Sequence, residues 1–225
     1  TAELELEVPQ EGMTINYSYQ IEQNGIVIRK EWDSFSRSIF LSGSSRKIYR
    51  INDCWKNIPE QLYLYSSAFT EALLAHPEKE NIPQRYKKGL VIKAYAPRIN
   101  KDYCLAICGN QKSLGHWDPE KAVLMSDTNF PEWQIELDAS KLKYPLEYKF
   151  ILYNKQEKKA DCWEKNPNRY LADPELKTNE TLVISDRYVY FDIPAWKGAG
   201  IAIPVFSLKS EKSFGVGDFG DLKRI

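Results

Sequence analysis

The chain has 225 residues, with 31 Lys plus Arg against 31 Asp plus Glu, and so no formal net charge. That balance recruits neither nucleic acid nor an anionic membrane, and no apolar run approaches the ~20 residues of a membrane-spanning helix. A neutral ligand is compatible with it, and the 13% aromatic share is high for so polar a chain, so some rings are available for binding.

The opening "AELELEV" alternates strictly, with Ala2, Leu4, Leu6 and Val8 on one side and three glutamates on the other. This pattern predicts a half-buried antiparallel strand. In "INYSYQIEQNGIVIR", Asn24-Gly25 separates two apolar runs, which predicts a hairpin. Residues 60–87 read as a linker, in which "SSAFTEALLAH" has a Ser cap and good helix formers. Short strands then recur through residue 191, among them "LEYKFILY" and "TLVISDRYVYF", and the chain reads as all-β and sandwich-like. From about residue 196 the character changes: "GAGIAIPVFSL" is continuously apolar, as in a strand buried on both faces.

The chain repeats itself. Tyr17 and Tyr148 share an offset of 131 residues with Trp32 and Trp163, and the same offset sets Leu4-Glu5-Leu6 on Ile135-Glu136-Leu137, Ile15 on Leu146 and Asp33 on Glu164. One residue of slip brings Arg37 onto Arg169, and "RIND" at 50–53 resembles "VISD" at 183–186. The second copy has an N-terminal half, about 88–131, without a counterpart in the first. The expected organisation is therefore an incomplete first module at 1–59, the linker at 60–87, a second module at 88–195 and a further domain beginning at 196. An incomplete sandwich leaves unpaired edges, which favours self-association.

Cys104 and Cys108 fall within an apolar run and on one face of a strand, as free core thiols or as a disulfide or metal pair. Neither they, Cys54 and Cys162, nor the separated His76 and His116 have zinc-site spacing, so no metal and no cofactor is expected. The chain starts at Thr1 with no signal peptide behind it, which reads as cytoplasmic. "GVGDFG" at 215–220 satisfies GxGxxG, but the βαβ unit that would make it a dinucleotide site cannot be traced.

"CWEKNPNRY" at 162–170 places a tryptophan in a polar run. Alternation along "LEYKFILY" sends Leu146, Tyr148, Phe150 and Leu152 to the core and Glu147 and Lys149 outward. On the return strand, Ala160 and Cys162 suit the core, which sends Asp161 and Trp163 outward. Lys149 and Trp163 then share an exposed face, with Glu164 and Asn168 following on a Pro-containing loop. A ring beside a cation, a carboxylate and an amide suits a pyranose: the ring covers the C–H face and the polar groups meet hydroxyls. These residues alone equally fit a half-buried Trp that covers a loop.

"GNQKSLGHWDPEKAVLM", "FPEWQIEL", "LEYKFIL" and "CWEKNPNRYL", in that order over about 100–193, resemble family-20 carbohydrate-binding modules, the starch-binding modules. The resemblance implies an Ig-like β-sandwich that binds α-1,4-glucans: starch, glycogen, maltooligosaccharides and cyclodextrin. It implies that Trp117 and Trp163 form the aromatic platform of a first site, with Lys149, Glu164 and Asn168 as its polar contacts. Phe130, with Tyr103 near the other position, is what matches a second site, and Trp133 matches a core-proximal tryptophan. In the first copy Trp32 and Asp33 are kept, but Ser18 stands at the lysine position and Ser36 or Arg37 at the asparagine position, so that copy reads as a degenerate module.

"AIPVFSLKSEKSFGVGDFGDLKRI" resembles the start of the catalytic (β/α)8 barrel of family 77 glycoside hydrolases, the 4-α-glucanotransferases, here truncated. "GIAIPVF" would be its first strand, and Ser213, Gly215 and Gly217 would lie on the loop at the face where barrel active sites sit. Such enzymes transfer glucan segments through a covalent glycosyl intermediate, using a carboxylate pair. In that family the pair lies beyond residue 225, so no acidic residue here is assigned to catalysis and the chain alone is expected to be inactive. Two other readings remain open: a starch- or glycogen-targeting module of another protein, and an Ig-like protein-interaction region.

Overall fold

The computed structural model describes residues 3–32, 37–43, 46–57, 81–99, 101–186 and 189–192. The chain divides into a compact unit, Thr1–Asp192, and a second, Ile193–Ile225. The helix expected near 66–76 and the stretch from 196, with Ser213, Gly215 and Gly217, lie outside the described residues.

Within the first unit, β6 (Lys88–Tyr95), β7 (Tyr103–Gly109), β8 (Val123–Leu124), β9 (Glu132–Asp138), β10 (Leu146–Asn154), β11 (Lys159–Trp163), β12 (Arg169–Leu171) and β13 (Glu180–Asp186) build the second module. One sheet runs β11-β10-β7-β8, with β12 also on β10. The other runs β5-β13-β6-β9. Alternation explains β10: Leu146, Tyr148, Phe150 and Leu152 are buried on the face toward the second sheet, where Tyr148 reaches Asp186 of β13 at 2.6 Å. Leu90, Ile92 and Trp133 answer from the facing sheet, all but closed to solvent. The Trp133 indole N–H donates to the Ala96 carbonyl at 3.3 Å, which satisfies its buried polar atom.

The first copy wraps the other side of the second sheet. Its strands are β1 (Met13–Tyr17), β2 (Gln20–Gln23), β3 (Ile26–Lys30), β4 (Arg37–Leu41) and β5 (Ile48–Asp53). Asn24 and Gly25, both at positive φ, turn β2 into β3 as the sequence predicted. Ile39 and Leu41 pack with Val91 and Val183, joined by Met13, Ile15 and Tyr17. The sheet containing β6 and β13 is thus covered on both faces.

The internal repeat reappears as register. Tyr17 pairs with Arg37 across β1 and β4, just as Tyr148 pairs with Arg169 across β10 and β12. The terminal strands of the two copies, β5 and β13, lie side by side in parallel, with Asp53 opposite Ser185. The incomplete copy therefore adds its last strand to the sheet of the complete one, a parallel pairing that alternation cannot foretell.

Two expectations need correction. Residues 3–9 form no strand, and Leu4 and Leu6 are 77% and 41% exposed. The aligned segment of the second copy, β9, is held by β6 through seven register positions, and the described residues give 3–9 no such ladder. Alternation is no substitute for a hydrogen-bonding partner. The parity expected on β11 also breaks, because a register shift pairs Leu152 with Cys162 but Tyr153 with Ala160. Asp161 is the extra residue of this bulge, and Ala160 turns to the same outer face as Trp163. The four cysteines are free thiols, with Cys104 and Cys108 buried on that outer face of β7. Burial pushes the Cys104 thiol up to about 11.

Arg37 is the buried cation of the first copy. It lies 2.7 Å from Glu31 and 3.2 Å from Asp53, all three side chains nearly closed to solvent. Removing one partner leaves a buried charge uncompensated, so Arg37→Ala should cost about 3–5 kcal/mol. Urea unfolding followed by circular dichroism reads this, and a loss no larger than the ~1 kcal/mol of a surface pair would contradict it.

Candidate glycan-binding site

The site is built on the outer face of the sheet β11-β10-β7-β8. Cross-strand partners put Trp163 beside Ile151, and Ile151 beside Ala106. Trp163 packs on Ala106, Cys108 and Ile151, so its inner side is anchored while the residue stays half exposed. Lys149 stands one outward position along β10, opposite Cys108, and forms no ion pair among the described residues. Asn168 is exposed on the loop between β11 and β12.

Trp117 arrives from the other side. It ends a 3-10 stretch, Lys112–Trp117, that packs over β7. Buried Leu114 fixes this stretch, and the N–H groups of Leu114 and His116 both donate to the Gln111 carbonyl at 2.9 Å. Gly115, His116 and Trp117 then adopt positive φ in succession, at 79°, 53° and 62°. For His and Trp this conformation is costly, which marks a backbone held in place by its surroundings. Asp118 steadies the exit by accepting from the Glu120 N–H at 3.2 Å and the Lys121 ammonium at 2.6 Å. The result is two indole rings with centroids 6.1 Å apart and planes inclined at 46°. Two rings tilted in this way offer apolar faces to a curved ligand, with an ammonium and an amide at their margin.

Glu164 departs from the expected arrangement. It is 2% exposed, because the residue after an outward Trp163 points inward. Its Oε1 accepts the Phe150 N–H at 2.7 Å and the Arg169 guanidinium. Oε2 is buried with no hydrogen-bond partner. Arg169 also reaches Asp186 at 3.3 Å and lies 4.6 Å over the Phe150 ring. Burial pushes the Glu164 carboxyl up, and the same cause raises Asp186. Burial works against the charge of Arg169 too, but Glu164 and Asp186 more than offset it, and its pKa is raised. Sequence reasoning missed Arg169 and Asp186, although the slip that aligned Arg37 with Arg169 and the "RIND"/"VISD" match pointed to both.

The two residues expected at a second site lie on different elements of the fold. Tyr103 opens β7, where Asp161 pushes its phenol up. Phe130 sits in the turn before β9, its ring edge-on to Trp133 at 6.0 Å. Among the described residues there is no cluster of His, Cys, Asp or Glu that could hold a metal, and no helix is long and apolar enough to cross a membrane.

The indole pair thus lies on the outer face of one sheet of a two-sheet β module. The starch binding domain family matches residues 91–183, from β6 to β13, less than half of the chain. The 4-alpha-glucanotransferase DPE2 of Oryza sativa subsp. japonica is 26% identical over 94% of this chain, which spans 23% of that relative's length. Among solved structures, a family 15 glucoamylase from Hypocrea jecorina is similar over 46% of this chain and 17% of its own, with 22% identity and a TM-score of 0.38. The family 20 module of a maltotetraose-forming amylase from Pseudomonas saccharophila STB07 is similar over 44% of this chain and 99% of its own, with 19% identity and a TM-score of 0.35.

Gly115 is the position on which Trp117 depends. A Cβ there would come 2.7 Å from the Lys121 carbonyl oxygen, and its φ is positive. Gly115→Ala should therefore destabilise the unit by more than ~1 kcal/mol and shift tryptophan fluorescence. Denaturant titration with both signals would contradict this if the variant matched the parent.

Proposed function

We propose that the outer face of the second module binds α-1,4-glucan, with Trp117 and Trp163 stacking on the sugar and Lys149 and Asn168 meeting its hydroxyls. The observation that carries this reading is the half-exposed, tilted indole pair, its rings 6.1 Å apart. The match of residues 91–183 to the starch binding domain family supports it. Glu164 takes the part of a positioning residue: it fixes the start of the loop that ends in Asn168. Sugar hydroxyls exchange water for protein partners, so each hydrogen bond contributes only ~0.5–1.5 kcal/mol net. Stacking then supplies much of a weak interaction, of the order of mM to μM. Soluble maltooligosaccharides and cyclodextrin would occupy the same face as starch or glycogen.

At the level of the whole protein, the reading is a glucan-targeting part of a 4-α-glucanotransferase of family 77, located in the cytoplasm. The likeness to the rice transferase along nearly the whole chain supports this over a targeting module of an unrelated protein. Residues 196–225 would then begin its barrel, and catalysis would belong to residues outside this chain.

Trp32 is the internal control. It is the repeat partner of Trp163 and half-buried, with its backbone N–H donating to the Lys56 carbonyl at 3.1 Å. Trp163→Ala should weaken maltoheptaose binding at least about tenfold, or ~1.4 kcal/mol, with circular dichroism unchanged, while Trp32→Ala leaves it within about twofold. Equal losses in the two variants, or a folded Trp163→Ala with unaltered affinity, would remove the platform from this face.

A further inference from the structure

The three residues of β12 place one further ring on the binding face. Across β10 and β12, Leu146 pairs with Leu171, Glu147 with Tyr170 and Tyr148 with Arg169. Paired residues share a face. Arg169 and Leu171 therefore point inward, where Arg169 covers Phe150. Tyr170 points outward and is 65% exposed. Outward positions of β10 alternate as Glu147, Lys149 and Ile151, and Trp163 stands opposite Ile151. Trp163 and Tyr170 thus occupy the same face and the same edge of the sheet, four β10 positions apart, or ~13 Å at the usual strand rise. Lys149 lies midway between them, and Asn168 occupies the loop that joins them.

Packing does not account for this ring. Tyr170 lies outside the buried clusters of the described residues, and a polar residue would serve an exposed edge position of a three-residue strand as well. What the position offers is reach: a ring, an amine and an amide, and a second ring follow one another along the edge of one sheet.

Resting on the glucan reading above, we infer that Tyr170 is a further stacking position that extends the platform to longer α-glucan segments. Successive rings of the ligand present C–H faces that the flat phenol ring can cover. The span exceeds a single hexose, and a short oligosaccharide whose units are taken up by the tryptophan pair has none left to reach it. A longer chain does, and the second contact is then made within one bound molecule. Tyr170 accordingly sets chain-length preference and leaves intrinsic recognition at the tryptophans unaltered.

The test compares maltotriose and maltoheptaose by isothermal titration calorimetry on the full chain, Tyr170→Ala, Tyr170→Phe and Trp163→Ala. Tyr170→Ala should weaken maltoheptaose by about three- to tenfold, leave maltotriose within about twofold, and melt as the parent does. Tyr170→Phe should keep the parent's preference, because the ring and not the hydroxyl makes the contact. Equal effects of Tyr170→Ala on the two sugars, or none on either, would overturn the inference while a damaged Trp163→Ala leaves the tryptophan platform standing. A Trp163→Ala variant that binds both sugars as the parent does would remove the platform and the extension together.

Discussion

A single, largely buried guanidinium holds the loop between β11 and β12 in shape. Arg169 lies beneath the outer face, between Glu164 and Asp186 and over the ring of Phe150. Glu164 begins the loop and Arg169 ends it, so their ion pair closes 164–169 into a staple that exposes Lys165, Pro167 and Asn168, with Trp163 and Tyr170 on either side. Asp186 and Tyr148 tie that staple to the opposite sheet. Burying two carboxylates and a guanidinium is costly, and the interior repays the cost only through close hydrogen bonding. Burial accordingly raises the Glu164 and Asp186 carboxyls.

The same device occurs in the first copy. Tyr17 donates to Asp53 at 2.8 Å, and Arg37 bridges Asp53 and Glu31. Asp53 and Asp186 sit near the ends of adjacent parallel strands and serve opposite faces of one sheet. The first copy shares the tyrosine–aspartate–arginine–carboxylate arrangement, with Ser18 where the second copy has Lys149 and the Trp32 backbone N–H on the Lys56 carbonyl. Its carboxylate comes from Glu31, before the tryptophan, while that of the second copy comes from Glu164, after it.

Much of this was legible in the sequence, for definite reasons. A period of two on β10 fixes which residues are core, and Asn24-Gly25 supplies the positive φ values that a tight hairpin requires. The repeat was visible because Tyr, Asp and Arg hold matching places in the two networks. What stayed hidden depends on partners. The strand expected at 2–8 has the right alternation but no ladder among the described residues, the bulge at Asp161 reverses the parity of Ala160, and Glu164 turns inward where resemblance set it among the contacts. The left-handed run through Gly115, His116 and Trp117 leaves only one glycine as its sequence trace, so the tilt of the indole pair could not be read beforehand.

The central claim is that glucan binds where the two indoles meet, and side-chain signals of the tryptophans in nitrogen-15 correlation spectra test it most directly. On titration with β-cyclodextrin, the indole N–H signals of Trp117 and Trp163 should move together along one binding curve. Those of Trp133, buried in the core, and Trp32, in the degenerate copy, should stay in place. Movement led by Trp32, or stationary signals from Trp117 and Trp163 in a protein that binds the sugar, would contradict the account.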